Sequence, residues 1–482
     1  MYSHIHCGSC VPAATVSRPL ATICGALSKF FTISDVHRDL LEFPLMNAAT
    51  GAEARLVAAR ALAAVLDERC NLGEALADLD RQLPDSRDRA LVRRLCNRVL
   101  RNYPALEWRL SRLLRKPLSR KSRQVHFLLL SALDQLIEGR EPARAVVHAS
   151  VAATRAAGQP HLGGLVNAVL RNHQRRSAEL EASLPDDPAM RLGYPAWLLE
   201  SIQRDWPERW REIAQAGNRT PPLWLRVNRR RSTPEQLCRK LLEEGIEART
   251  NAHFPDAVRL DRPARVSTLP GYAEGEFSVQ DAGAQAAAGL LAAEDGERVL
   301  DACAAPGGKA AHILERARAR LTALELDPER ARRIGETLDR LGLTGEVVIG
   351  DAARPQDWAA GRIFDRILVD VPCSATGVLR RHPDIRWQRK PDDIAANTAL
   401  QGRILDALWP LLAPGGLLVY ASCSILHAEN RDQAREFIAR HADAQPLETR
   451  LEEGVSTNPG CQILPGSLDR DGFFYLRMRR LR

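Results

Sequence analysis

The sequence predicts a multidomain chain: an all-α helical bundle, then a small α+β unit, then an α/β domain on a doubly wound parallel sheet. Three observations predict it. The 482 residues exceed one ordinary domain, so two to four are expected. Apolar residues recur at helical spacing over residues 47–180. From about residue 276, short apolar runs alternate with helical segments, the pattern of parallel strands joined by crossover helices.

Composition narrows the class. The chain is 45% hydrophobic and 27% charged, as globular proteins are. No stretch approaches the ~18 apolar residues of a membrane span. The start lacks a basic region followed by an apolar run, so no signal peptide is expected. The ten cysteines form no dense, even framework, which points to reduced thiols in the cytoplasm. A net charge of +8 favours a polyanionic partner. A monomer is the expected assembly.

Residues 1–45 mix Ser, Thr, Cys and His without a sustained period and read as a disordered or mis-assigned extension. His4, His6, Cys7 and Cys10 lack a second ligand pair at a zinc spacing, so no metal site is expected. Residues 46–180 form the helical unit. Leu62, Val65 and Leu66 share one helical face; Leu72, Leu76 and Leu79 share another, on a helix that Asn71 can cap. Further helices fit 87–102, 105–115, 122–137, 142–156 and 161–176. No glycine falls between Gly73 and Gly139, which suits a bundle.

Between Arg87 and Arg123 basic residues crowd the chain, among them Arg93, Arg94, Arg98, Arg112, Arg115, Lys116, Arg120 and Lys121. Asp88 and Glu107 are the acids there. A solvated helix face normally mixes both signs, so a phosphate-contacting surface is expected.

Residues 181–275 hold a connector and the small α+β unit. Leu223 to Asn228 alternates as a strand, and Thr233 or Ser232 can cap a helix starting at Pro234. Residues 276–482 form the α/β domain, with strands over 298–301, 321–325, 346–349, 365–370 and 416–421. Helices fit 308–318, 328–341, 393–411 and 428–440.

Ligands of such sheets bind beyond the carboxyl ends of the strands. The first strand runs into Cys303, Ala304, Ala305, Pro306, Gly307, Gly308 and Lys309, a turn small enough for a ligand to approach the backbone. Glu325, Asp351 and Asp370 follow at the ends of the next three strands. An acid ~20 residues beyond the first strand binds ribose hydroxyls in dinucleotide folds. The turn lacks both G-x-G-x-x-G and G-x-x-x-x-G-K-[ST], which disfavours nicotinamide and P-loop enzymes. Two further strand ends carry cysteines, Cys373 after Pro372 and Cys423 after Ser422.

In the order Val279-Gln280-Asp281, Asp301 to Lys309, Asp370 to Gly377, Arg381-His382-Pro383-Asp384 and Asp471-Gly472-Phe473-Phe474, residues 276–482 resemble the bacterial RNA cytosine-5 methyltransferases. The helical unit resembles the NusB RNA-binding fold. The combination resembles enzymes acting on small-subunit (16S) ribosomal RNA. The resemblance implies a Rossmann-like methyltransferase domain binding S-adenosyl-L-methionine at the Cys303–Lys309 turn. It also implies Glu325 on the ribose, Asp351 near the adenine and Asp370 near the methionine end and target base. Glu325 stands where Asp is common, Ser422 where Thr is, and Val371 where Ala is; none removes a needed group.

Carbon 5 of cytosine is a poor nucleophile. A thiolate adding at carbon 6 makes an enamine that can take a methyl group at carbon 5, and a second thiol or a carboxylate can assist breakdown. The resemblance assigns attack to Cys423 and product release to Cys373. The residues alone do not order them, and attack from the Pro-Cys segment stays open. Asp370 is expected to hydrogen-bond the cytosine, with Lys309 polarising the same site. Arg380, Arg381, His382 and Arg386, just after Cys373, are expected to hold RNA backbone. Two rivals stay open: a transfer RNA or another ribosomal site as substrate, and a non-catalytic RNA-binding assembly factor. An amino-group methyltransferase would carry Asp/Asn-Pro-Pro-aromatic where Asp370-Val371-Pro372-Cys373 stands.

Overall fold

The computed structural model describes residues 50–260, 262 and 264–482; the expectations for 1–45, including His4, His6, Cys7 and Cys10, lie outside the described residues. The helical unit comprises α1 (Thr50–Glu68), α2 (Ser86–Leu113), α3 (Arg123–Glu138), α4 (Ala143–Ala156) and α5 (Gly163–Ala182). Its core is the set of apolar stripes the helical period marks: Leu62, Val65, Val99, Leu129, Val146 and Leu170 are all fully buried. Leu66 sits at the rim of that core. Asn71 caps its helix, Oδ1 accepting from Glu74 N at 2.8 Å. That helix ends at Ala75, and a second turn runs Leu79–Gln82.

The two helices expected at 87–102 and 105–115 are one continuous helix, α2, with Pro104 inside it. A proline removes the N–H that would bond the carbonyl four residues earlier, here Leu100. The indole of Trp387 supplies the missing donor, with Nε1 at 2.8 Å from Leu100 O. A long-range contact, invisible to local propensity, carries the helix through its proline.

Three short connector helices lead to the α+β unit: β1 (Leu223–Val227), α6 (Pro234–Glu243), β2 (Ala248–Thr250), β3 (Ala257–Leu260) and β4 (Phe277–Val279). The strands pair antiparallel in the order β2-β3-β1-β4. Thr233 and Gln236 make the capping box that starts α6. Strand β1 is buried on both faces, since Leu223, Leu225 and Val227 pack with Leu237 and Leu241 of α6 while Arg226 reaches into the α/β domain.

The α/β domain runs α7 (Ala282–Leu291), β5 (Arg298–Ala302), α8 (Gly308–Arg316), β6 (Arg320–Glu325), α9 (Pro328–Leu341), β7 (Glu346–Ile349), β8 (Phe364–Asp370), α10 (Pro391–Leu408), β9 (Leu412–Ser422) and α11 (Arg431–Arg440). Strands β7-β6-β5-β8-β9 are parallel and their bounds lie close to those expected. The sheet does not stop there. Strands β10 (Ala444–Leu447), β11 (Val455–Ser456), β12 (Cys461–Ile463) and β13 (Phe473–Arg480) add an antiparallel flank, with β13 beside β9. Phe473, Phe474, Tyr475 and Leu476 are all buried, so the first half of β13 lacks the hydropathy alternation by which a half-buried strand is recognised.

A fully buried ion pair helps lock the α+β unit to the α/β domain. Arg226 and Glu315 of α8 are both 0% exposed, joined by Nε–Oε2 and Nη2–Oε1 bonds of 2.7 Å. Arg226 Nη1 also donates to Gly308 O at 2.6 Å and to Gln280 Oε1 at 2.7 Å. The strand of one unit thus braces the first turn of the helix that follows the glycine turn.

Candidate active site

Strand β5 ends at the turn, and the turn bends sharply. Cys303 has φ 61° and Gly307 has φ 96°. A Cβ on Gly307 would sit 3.1 Å from Ile334 Cα, so its glycine is required by both conformation and space. Gly307 is the N-cap residue of α8, whose first N–H groups lack helical partners.

The acids surround this turn in different states. Asp301 is fully buried, and neither carboxyl oxygen has a hydrogen-bond partner. Burial pushes its pKa up to about 8, against the pull of Lys309. Glu325 Oε1 accepts from Leu326 N at 2.9 Å, Asp327 N at 3.2 Å and Arg330 Nη1 at 2.9 Å. Its Oε2 has Ala305 N at 3.3 Å. Asp351 Oδ1 accepts from Ala353 N at 2.8 Å. A cavity of about 350 Å³ opens beside Glu325 and Asp351, lined also by Cys303, Asp327, Gly350 and Pro372.

A second, smaller cleft opens on the other side of the turn. Pro306, Lys309, Asp370, Arg381, His382 and Phe473 are among its walls. Lys309 Nζ donates to Asp370 Oδ2 at 2.6 Å and stands 5.6 Å from the ring centre of Phe473. Burial opposes the Lys309 charge, but the adjacent Asp370 carboxylate outweighs it and raises the pKa.

The two thiols meet. Strands β8 and β9 are parallel neighbours with Asp370 opposite Ala421, so the turns leaving them start side by side. Val371 N donates to Ala421 O at 3.0 Å, and Gly377 N donates to Cys423 O at 2.8 Å. Cys373 Sγ lies 3.4 Å from Cys423 Sγ, and both are buried. The hydrogen bond with Cys423, together with burial, raises the Cys373 pKa well above the usual thiol range. Cys373 is therefore held as a thiol beside the other sulfur.

The arginines expected to hold RNA are elsewhere engaged. Arg380 is buried, paired with Asp471 and donating to Asp469 O at 2.7 Å. Arg381 pairs with Asp471 and with Asp281 at 2.8 Å. Arg386 is fully buried, donates to Gly193 O at 3.0 Å and Gly217 O at 2.7 Å, and covers the Tyr194 ring. Arg93 and Arg94 are buried in the helical unit, where Arg94 pairs with Glu138 and Glu141; Arg98 pairs with Asp134. Burial of Arg93, Arg94, Arg380 and Arg386, and the carboxylate partners of Arg98 and Arg381, give these side chains packing and docking contacts within the protein. Arg381 and His382 are the two of the set that are half-buried on the cleft wall. Residues 380–389 are the seam between helical and α/β units. Arg101 Nη2 donates to Arg380 O at 2.6 Å, Leu72 N to Asp384 Oδ2 at 2.9 Å and Gln388 Nε2 to Cys70 O at 2.7 Å. Local charge density could not distinguish a seam from a ligand surface.

The turn fits an adenosine-bearing cationic cofactor. Glu325 and Asp351 face one cavity, Cys303 of the turn lines it too, and its volume falls in the range of ligand sites. Among the described residues no cluster of His, Cys, Asp or Glu could hold a metal ion.

Three family models match this chain: 16S rRNA methyltransferase RsmB/F over residues 288–479, an RsmF/B-like ferredoxin-like domain over 194–267, and the NusB family over 52–175. The ribosomal RNA small subunit methyltransferase B of Serratia proteamaculans is 46% identical over 428 residues, 89% of this chain and 98% of that protein. The solved structure of PH0851 superposes with a TM-score of 0.76 at 20% identity, covering 91% of this chain and 100% of that one. A methyltransferase homologue from Pyrococcus horikoshii gives a TM-score of 0.55 at 27% identity, covering 61% and 97%.

Proposed function

This chain belongs to the ribosomal RNA small subunit methyltransferase B family, and we propose that it methylates carbon 5 of a cytosine in 16S ribosomal RNA through a covalent cysteine–carbon 6 adduct. The observation that carries this reading is the pair of sulfurs 3.4 Å apart beside the Lys309–Asp370 pair.

S-adenosyl-L-methionine supplies an electrophilic methyl group when bound. Its adenosine is assigned to the cavity of Glu325 and Asp351, and its methionine end to the Cys303–Lys309 turn and Asp370. The target base must leave any stack to reach the second cleft. Phe473 gives that cleft an aromatic wall. Cys423 attacks carbon 6 as a thiolate. Asp370 hydrogen-bonds the cytosine and favours protonation at nitrogen 3. After transfer, a water molecule takes the carbon-5 proton, the C–H electron pair restores the carbon 5–carbon 6 double bond and expels Cys423 as a thiolate, and the Cys373 thiol assists release by donating a hydrogen bond to the departing sulfur. Phosphate contact falls to cations that remain in solvent: Arg112, Arg115, Lys116, Arg120 and Lys121 are exposed, and no ion pair engages them among the described residues. The site of action is the cytoplasm.

The test uses wild type, Cys423→Ala and Cys373→Ala with labelled S-adenosyl-L-methionine and unmodified 16S ribosomal RNA. Cys423→Ala is expected to yield neither 5-methylcytosine nor denaturant-stable adduct, while Cys373→Ala accumulates adduct. The opposite pattern exchanges the two roles. Wild type that labels no cytosine overturns the reading in favour of an RNA-binding assembly factor; labelling confined to transfer RNA moves the substrate.

A further inference from the structure

Glu429 has no part in the chemistry above, yet it lies at the base of both thiol turns. It follows β9 in a short turn of helix and is fully buried. Its Oε1 accepts from Ser374 N at 2.7 Å and from Asn397 Nδ2 at 3.1 Å. Its Oε2 accepts from the Ser374 hydroxyl. Ser374 immediately follows Cys373. Ser374 Oγ is also 3.2 Å from Ser424 Oγ, and Ser424 immediately follows Cys423. Thr376 Oγ1 closes the cluster, 3.1 Å from Ser424 Oγ and accepting from Ile425 N at 3.1 Å. The Glu429 main chain is itself held, its carbonyl accepting from Tyr420 OH at 2.6 Å.

Isolating a carboxylate this deeply is costly unless its partners are well placed. Here burial raises the Glu429 pKa while the two serines and Asn397 pull the other way. A purely apolar contact could close the same space. It could not grip a backbone N–H and two hydroxyls on two different loops.

We propose that Glu429 is a positioning residue that sets the distance between the two reacting sulfurs, holding the Cys373 turn through Ser374 and the Cys423 turn through the Ser374–Ser424 contact. This rests on the two-thiol reading, so its test includes a measurement that needs no methyl transfer. The thiol-bridging reagent dibromobimane links two sulfurs only when both are within its short span, each sulfur displacing one bromide. The bridged Cys373–Cys423 peptide is read by mass spectrometry in wild type, Glu429→Asp and Glu429→Gln, below their melting temperatures. Turnover, KM for RNA and KM for S-adenosyl-L-methionine are measured alongside.

Glu429→Asp withdraws the carboxylate by one methylene. It is expected to lower bridging and to cut kcat by about 100-fold, the loss typical of an ångström-scale misplacement. KM for S-adenosyl-L-methionine should not move. Glu429→Gln keeps an acceptor for Ser374 N–H and recovers part of both readouts. Bridging equal to wild type in Glu429→Asp, or a rate loss that tracks only the folded fraction, overturns the proposal. If Glu429→Asp does not fold, Ser374→Ala removes the hydroxyl link alone, and undiminished bridging in that variant overturns it equally. Wild type that bridges its sulfurs but makes no 5-methylcytosine defeats the enzymatic reading and leaves the geometric one decided by bridging.

Discussion

At the residue scale the site separates groups of the same kind by environment. Asp301 and Asp370 both border the Lys309 charge, yet Asp370 has its ammonium at 2.6 Å whereas Asp301 has no hydrogen-bond partner. Asp370→Asn keeps the shape but removes the charge that favours nitrogen-3 protonation. Turnover is expected to fall about 10²- to 10⁴-fold, the range for acid–base assistance, with cofactor affinity nearly unchanged in a binding titration. Unchanged turnover removes the role. Asp301 makes a prediction of opposite character. Its folded pKa of about 8 lies above the ordinary 3.8, so the folded state prefers the protonated form. The associated stability is fully present below the ordinary value and is lost as pH rises through the folded one. Asp301→Asn does not titrate. Without ligand, the wild-type melting temperature should therefore drop against that of Asp301→Asn between about pH 5 and pH 9. A constant difference across that range means that the folded carboxyl is already ionised.

At the element scale, the turns after β8 and β9 fit each other with almost no tolerance. A Cβ on Gly377 would lie 2.2 Å from Gly472 O and 2.7 Å from Cys423 O, both backbone atoms that cannot swing aside. Gly377→Ala must push the Cys423 carbonyl away. The expected result is a destabilisation of about 1–3 kcal/mol from overpacking. A rate loss of about 100-fold should accompany it, with S-adenosyl-L-methionine affinity preserved. Calorimetry and steady-state kinetics read the two effects. Wild-type kinetics would mean that the turn relaxes without moving the sulfur. These elements also mark where local reading succeeds. Both cysteines, the glycine turn and the parallel strands were legible because each is encoded by contiguous residues. Three features were not. The continuity of α2 depends on an indole from a residue far along the chain at Leu100. The first half of strand β13, Phe473 to Leu476, is buried without alternation. Glu429 matters through Ser374, a partner 55 positions away. Their signals are contacts rather than patterns.

At the scale of the whole molecule, the same residue type does two jobs that composition cannot tell apart. Buried arginines weld the units together. Arg226 is sealed against Glu315, and Arg386 binds two connector carbonyls under Tyr194. Removing one partner of a sealed pair typically costs about 3–5 kcal/mol, so Arg226→Met should lower the melting temperature sharply and loosen the glycine turn through Gly308. The exposed cations of residues 112–121 have no such engagement among the described residues. If they contact phosphate, they add affinity through counterion release, which is nearly blind to sequence and strongly dependent on salt. Replacing Arg115, Lys116, Arg120 and Lys121 with Ala should raise KM for RNA and leave kcat at saturation near wild type. The salt dependence of RNA binding should flatten by roughly 0.7–0.9 log units per log unit of salt for each phosphate that the variant leaves unneutralised. Arg386→Ala should do the reverse, impairing unit docking and stability with no change in that slope. The pair of variants thus separates charge that recognises RNA from charge that holds the fold. An unchanged slope in the fourfold variant would place the RNA footprint on another face.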